Sequence, residues 1–325
     1  MNNMVKQIIP IFFTIDSKYV PYIDVAIRSL MENASNDYNY EIKVLYQDLD
    51  EGEQKKLKSL SDKKENFDID LIYMKEGLEA ITDREENKLR CDYFTLSIFF
   101  RLFIPEMFPE YDKGIYIDSD IVVPGDISEL YNIELKDNII GASPDYSIQE
   151  VPELMYYVTN AIGVKEKEYI NSGVLLMNLK MMREKKFTTH FLNLLNTYHF
   201  DTIAPDQDYI NAMCNGKIFY LNECWDAMPN NSKEPLTSPK LIHYNLFQKP
   251  WCYDNIQYED YFWKYAKKSE FYENILTDKN NYSEKNKSLD SETLKTLVDK
   301  GNKMPEKEIT FKKVFENGEK IRIWY

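Results

Sequence analysis

The chain has 325 residues, 43% of them hydrophobic, enough to bury one sizeable α/β core and a smaller accessory region. With 54 Asp and Glu against 40 Lys and Arg, its formal charge of -14 disfavours nonspecific nucleic-acid binding, so a phosphate-bearing ligand would need local Lys, Arg or a metal. Cys91, Cys214, Cys224 and Cys252 are far apart and lack CxxC spacing, which does not suggest a disulfide framework and fits reduced thiols in the cytoplasm.

The apolar stretch from Ile8 is broken by Pro10 and closed by Asp16, too short for a membrane span and read as a buried strand. A helical stripe of Tyr22, Ile23, Ala26, Ile27 and Leu30 follows, then the apolar run Ile42 to Tyr46, which together make a βαβ unit. A polar helix carrying Leu57 and Leu60 precedes Phe67, Ile69, Leu71 and Tyr73, which alternate with period two, and a charged loop is expected at about 75 to 90. Next come a mostly apolar helix from Tyr93 to Phe103 and a short strand, Gly114 to Ile117, that runs straight into Asp118.

The second half reads as a strand at Val174 to Met177, a helix with Phe187, Phe191, Leu194 and Leu195, and a helix opened by Pro205. Strands at Ile218 to Leu221 and Leu241 to Tyr244 follow, and an aromatic helix near Tyr258, Tyr261, Phe262 and Tyr265 closes the compact region. Alternating strands and helices predict an α/β fold, a mainly parallel doubly wound sheet that binds ligands at the carboxyl ends of its strands. Residues 1–275 are read as one domain. Residues 276–325 are read as an appended segment with eleven Lys and Arg against nine Asp and Glu.

An Asp-x-Asp triplet occurs four times, so position must discriminate. Asp68 and Asp70 belong to the solvated face of a strand, and Asp48 and Asp50 start a helix. Asp206 and Asp208 follow Pro205 near a helix start. Asp118 and Asp120 differ, being flanked by Ile115, Tyr116 and Ile117 before and Ile121, Val122 and Val123 after. Two like charges in an apolar setting are costly unless a cation or hydrogen-bond donors compensate. Hard carboxylate oxygens suit Mg²⁺ or Mn²⁺, whereas a strand-end turn with carboxylates capping backbone amides is the structural alternative; local sequence leaves both open.

Several ordered motifs add context: Thr14-Ile15-Asp16 with Tyr19, Arg101 in FFRLFIPE, IYIDSD at 115 to 120, NSGVLLMNL from Asn171, PDQD at 205 to 208, and HYNLFQKPW from His243. Together they resemble glycosyltransferase family 8, which includes bacterial lipopolysaccharide galactosyl- and glucosyltransferases, over about Ile8 to Trp251. The resemblance implies a GT-A type, Rossmann-like fold and a UDP-sugar donor, UDP-glucose or UDP-galactose. It also implies Mn²⁺, or Mg²⁺, held by Asp118, Asp120 and His243. Thr14, Ile15 and Asp16 would contact the uracil edge and Tyr19 would stack on it. Ser119 would join the donor site, Arg101 would contact the donor sugar or the metal-binding carboxylates, and Lys249 would reach the diphosphate. Asp145, Asn171, Asp206 and Gln207 would line the sugar pocket, with Gln207 near the anomeric carbon. Where many members carry Gly after the His, this chain has Leu246, and a backbone donor survives there if φ stays negative.

An amide is a poor nucleophile, so Gln207 favours retention by front-face attack over a covalent intermediate. The acceptor is expected to be a glycan or lipid-linked glycan. The end of the chain mixes Phe311, Phe315, Ile321, Ile323, Trp324 and Tyr325 with Lys312, Lys313, Lys320 and Arg322, which reads either as a packing arm or as peripheral contact with the inner face of a membrane. Two other classes remain: a nucleotidyl- or phosphoryltransferase, disfavoured by the lack of GxxxxGK[ST] or GxGxxG, and a noncatalytic nucleotide-sugar-binding protein.

Overall fold

Seven strands form one sheet in the order β3-β2-β1-β4-β7-β6-β8. They are β1 (Ile8–Ile15), β2 (Asn39–Tyr46), β3 (Phe67–Tyr73), β4 (Gly114–Ile117), β6 (Ile140–Ala142), β7 (Val174–Met177) and β8 (Ile218–Tyr220); β5 (Ile121–Val122) and β9 (Ile242–His243) make a separate two-stranded ribbon. The computed structural model describes residues 6–74 and 96–324, so the charged loop expected at 75 to 90, Cys91 and the start of the helix expected from Tyr93 lie outside the described residues. The described part of that helix, Leu96–Leu102, is a tight 3₁₀ turn.

β1 lies between β2 and β4, both parallel to it, and carries helices over both faces, so all its residues after Ile8 are buried and its sequence is continuously apolar. Side-chain alternation splits the sheet into two cores. Phe12, Tyr116 and Leu175 point into one cluster, whereas Ile11, Phe13, Ile115, Ile117 and Leu176 point into the other. Helix Val20–Asn33 lays Ile23, Ala26, Ile27 and Leu30 on the second face, and Asp50 caps helix Glu51–Lys58 through a reciprocal bond with Glu53. Four pairings are parallel; β7 alone runs against its neighbours β4 and β6.

Residues 276–324 pack onto the body of the fold. Helix Glu284–Lys303, capped by Ser283 and Asn286, lies against helix Pro152–Tyr157 and buries Leu297 in the first core. Phe311 stacks on Phe200 with centroids 3.8 Å apart, Ile323 N–H donates to Met213 O at 3.1 Å, and Trp324 Nε1 donates to Asn215 O at 2.8 Å. Of the apolar side chains offered for a membrane face, Phe311, Ile321 and Ile323 are at most 3% exposed, so the packing arm is what forms. No helix among the described residues is long and apolar enough to cross a membrane.

Candidate active site

A cleft of about 860 Å³, open mouth included, sits where β1 and β4 end and β7 begins. Because β7 is antiparallel, its first residue is level with the last of β4: Ile117 pairs with Val174, and Asp118 N–H donates to Gly173 O at 2.8 Å. Thr14, Ile15, Asp16 and Tyr19 line the cleft from the end of β1, and of the other expected residues Arg101, Asp118, Ser119, Asp120, Asn171, Asp206, Gln207, His243 and Lys249 line it too. Ser172, Gly173, Asn245, Leu246, Phe247 and Leu297 line it as well. Of the expected residues only Asp145 does not; fully buried behind Gln207, it accepts from Gln207 Nε2 at 2.8 Å and from Asn171 Nδ2 at 3.3 Å.

The ribbon explains how His243 meets Asp120 across more than a hundred residues. β5 pairs antiparallel with β9, setting Ile121 opposite His243, and Tyr244 N–H donates to Asp120 O at 2.9 Å. His243 Nε2 then lies 3.3 Å from Asp120 Oδ1 and 3.8 Å from Asp118 Oδ2, and one ligand atom from each of the three residues falls within 4.8 Å of the others. Gly173 makes room for this group, since a Cβ there would lie 2.2 Å from His243 Cε1 and 2.9 Å from Asp118 Oδ2.

Cations converge on the same carboxylates. Lys249 Nζ bonds Asp120 Oδ2 and donates to Tyr244 O at 2.7 Å. Arg101, 3% exposed, bridges Asp118 Oδ1 at 2.8 Å and Asp206 Oδ2 at 3.2 Å, donates to Ser172 O at 2.7 Å, and lies over the Tyr116 ring. Burial opposes its charge, but Asp118 and Asp206 outweigh burial and hold its pKa up. Burial likewise pushes the Asp120 carboxyl up, while Lys249 and His243 reverse that and depress it. Burial alone would lower the His243 imidazole, yet Asp120 and Asp226 keep it raised to about 10.

Some parts of this arrangement carry no sequence signal. Tyr116, in a strand of apolar neighbours, reads as core, but it lies two residues before Asp118 on the same face of the strand and donates to Asp118 Oδ1 at 2.6 Å, with Thr14 Oγ1 2.8 Å away. Ser172 N–H donates to Gln207 Oε1 at 3.1 Å and Ser172 Oγ to Asp206 Oδ2 at 2.9 Å. Asp226 lies next to His243 and follows Trp225 in no recognisable pattern.

Leu246 departs from expectation. Its φ is +54°, in the left-handed region, so the condition of a negative φ is not met and the backbone takes a glycine-like turn despite the side chain. A β-branched residue fits this region worst. Leu246→Val is expected to destabilise the protein by about 1–2 kcal/mol in urea unfolding, with Leu246→Gly close to neutral.

Asp208, which follows Gln207 in helix Pro205–Cys214, faces away from the cleft. It accepts from Tyr157 Oη at 2.7 Å, Tyr169 Oη at 2.6 Å and the amides of Ile203 and Ala204 at 3.0 Å, which fixes the start of that helix. Burial pushes its carboxyl up to about 6, with the four donors offsetting part of the rise. Between the ordinary aspartate value and about 6 the folded chain keeps a proton that the unfolded chain has released. The carboxyl's contribution to stability is therefore greatest in acid and is lost as pH rises through about 6. Asp208→Asn is expected to flatten that fall relative to wild type, read as urea-unfolding free energy between roughly pH 4 and pH 7.

A model of the family described as "Glycosyl transferase family 8" matches residues 10–255. The chain is 27% identical over 226 residues to a putative glycosyltransferase of Haemophilus influenzae, covering 70% of this chain and 65% of that protein. It is 25% identical over 276 residues to lipopolysaccharide 1,2-glucosyltransferase of Escherichia coli, covering 78% and 77%. Its fold is similar to that of the galactosyltransferase LgtC solved with donor and acceptor sugar analogues, with a TM-score of 0.68, 24% identity and coverage of 81% of this chain and 96% of that one.

Proposed function

Because the chain belongs to glycosyl transferase family 8, we propose that it is a retaining, metal-assisted hexosyltransferase that moves glucose or galactose from a UDP-sugar to a glycan or lipid-linked glycan acceptor. The observation that carries this reading is the convergence of Asp118, Asp120 and His243 in a cleft flanked by Arg101 and Lys249. Two carboxylate oxygens and one imidazole nitrogen within 4.8 Å of one another suit Mn²⁺, and Mg²⁺ less well. Bound there, the metal would supply Lewis-acid stabilisation of the departing diphosphate.

The remaining roles follow from what each side chain has left to offer. Asp16 Oδ1 is buried and has no partner among the described residues, which suits it to accept from the uracil N–H, beside Thr14 and Ile15 and under the Tyr19 ring. Asp206 lines the cleft and its Oδ1 is likewise without a partner among the described residues, which suits it to a donor-sugar hydroxyl, with Asn171 alongside. Ser119 sits between the two metal-binding carboxylates, and Lys249 adds positive charge at the diphosphate. Gln207 presents an amide tied at both ends, its oxygen to Ser172 N–H and its nitrogen to Asp145. A tied amide is a rigid wall beside the reacting carbon, which supports front-face attack with the leaving phosphate taking the acceptor's proton. Asp145 acts by holding Gln207 and Asn171. The same reading places the enzyme in the cytoplasm, at the inner face of the membrane when the acceptor is lipid-linked.

The test is release of UDP from a panel of UDP-sugars with and without Mn²⁺, comparing wild type with Asp118→Asn/Asp120→Asn. Metal-dependent release from one sugar, lost in the double variant, would support the transferase and name its donor. Binding of UDP-sugar with no release or transfer to any offered acceptor would favour the noncatalytic binding protein instead.

A further inference from the structure

Asp226 is buried with 0% exposure, and the one hydrogen bond of its side chain among the described residues joins Oδ1 to His243 Nδ1 at 3.1 Å. Its other oxygen is buried and has no partner among those residues. Backbone pairing fixes the contact: Ala227 bridges to Ile242, Ala227 N–H donates to Leu241 O at 2.9 Å, and His243 N–H donates to Ala227 O at 2.9 Å. Asp226 is thereby held on one side of the imidazole while Asp118 and Asp120 lie on the other. Taking a carboxylate out of water costs several kcal/mol, which one hydrogen bond within the fold does not return.

From this geometry we infer that Asp226 is a positioning residue that holds His243 as the Nδ1–H tautomer, so that the Nε2 lone pair is directed at the cation site between Asp118 and Asp120. An ionised carboxylate only accepts, so the nitrogen facing it must donate. The other nitrogen is then free to act as a ligand, its basicity raised by the carboxylate behind the ring. An asparagine in the same place can present its NH₂ group to Nδ1 and stabilise the opposite tautomer, whose Nε2 carries a proton and cannot ligate. Charge and hydrogen-bonding sense, beyond bulk, set the function of this position.

The inference rests on the metal reading above, and the experiment separates the two. Mn²⁺ binding to the full chain, followed by electron paramagnetic resonance of the free ion, is compared for wild type, Asp226→Asn, His243→Gln and the double variant. Thermal unfolding without Mn²⁺ verifies that each is folded, and Asp226→Ser replaces Asp226→Asn if the amide variant does not fold. Asp226→Asn is expected to weaken Mn²⁺ binding about ten- to hundredfold, and to add nothing further in the His243→Gln background. Wild-type Mn²⁺ affinity in a folded Asp226 variant, or losses that multiply in the double variant, would overturn the role of Asp226 alone. Absence of Mn²⁺ binding to wild type would overturn the metal reading, and this inference with it.

Discussion

Gly173→Ala is expected to abolish Mn²⁺ binding and sugar transfer together while leaving the chain folded. The methyl group would sit 2.2 Å from His243 Cε1 and 2.9 Å from both Asn171 Oδ1 and Asp118 Oδ2, so the imidazole or the carboxylate must move out of register. Nothing else opposes alanine, since the strand-end backbone is one that any residue can adopt. A displacement of about an ångström at a reacting centre costs on the order of a hundredfold in rate, and here it falls on two of the three proposed ligands. The measurement is UDP release alongside Mn²⁺ titration, with thermal unfolding as the check on folding. Wild-type turnover would mean that His243 works from somewhere other than where the structure places it.

Arg101→Met should be the most damaging change to the fold itself. It takes the guanidinium from between Asp118 and Asp206, the latter 1% exposed, and leaves both carboxylates without their shared counter-charge. Removing one partner of a buried ion pair costs about 3–5 kcal/mol, because the remaining charge stays desolvated. Urea unfolding reads this loss directly. Arg101→Lys should recover only part of it: a single ammonium cannot reproduce the fork that reaches Asp118, Asp206 and Ser172 at once. A drop under about 1 kcal/mol for Arg101→Met would place the ion pairs among the weak, solvent-screened kind.

What the sequence disclosed follows the range of the interactions. Strands with continuous apolar runs, such as Ile8–Ile15 and Gly114–Ile117, and the Pro205 helix start are local signals, and they appear close to where they were expected. The pattern also singled out Asp118 and Asp120 among four similar triplets, because a carboxylate pair between two apolar runs needs compensation. Asp226 was invisible because its partner His243 is brought alongside by strand pairing, and one sequence does not encode register in any local motif; Tyr116 was masked by apolar neighbours that make it read as core, and Ser172 acts on Asp206 and Gln207 of a helix distant in sequence. The closing segment stayed open in the sequence for a different reason. Its Lys-, Asn- and Glu-rich composition describes the outer face of helix Glu284–Lys303, whereas a few spaced residues, Leu297, Met304, Phe311 and Ile323, do the packing.

That packing ties the finished cleft to the order in which the chain is made. Thr14, Asp118 and Gln207 emerge early from the ribosome, but Leu297 closes the cleft wall, and the contacts that seat its helix, Phe311 on Phe200 and Ile323 on Met213, come later still. A nascent chain can form the sheet and its acidic rim well before it has a complete site. The cleft is complete only once Leu297 and the contacts that seat its helix have been made.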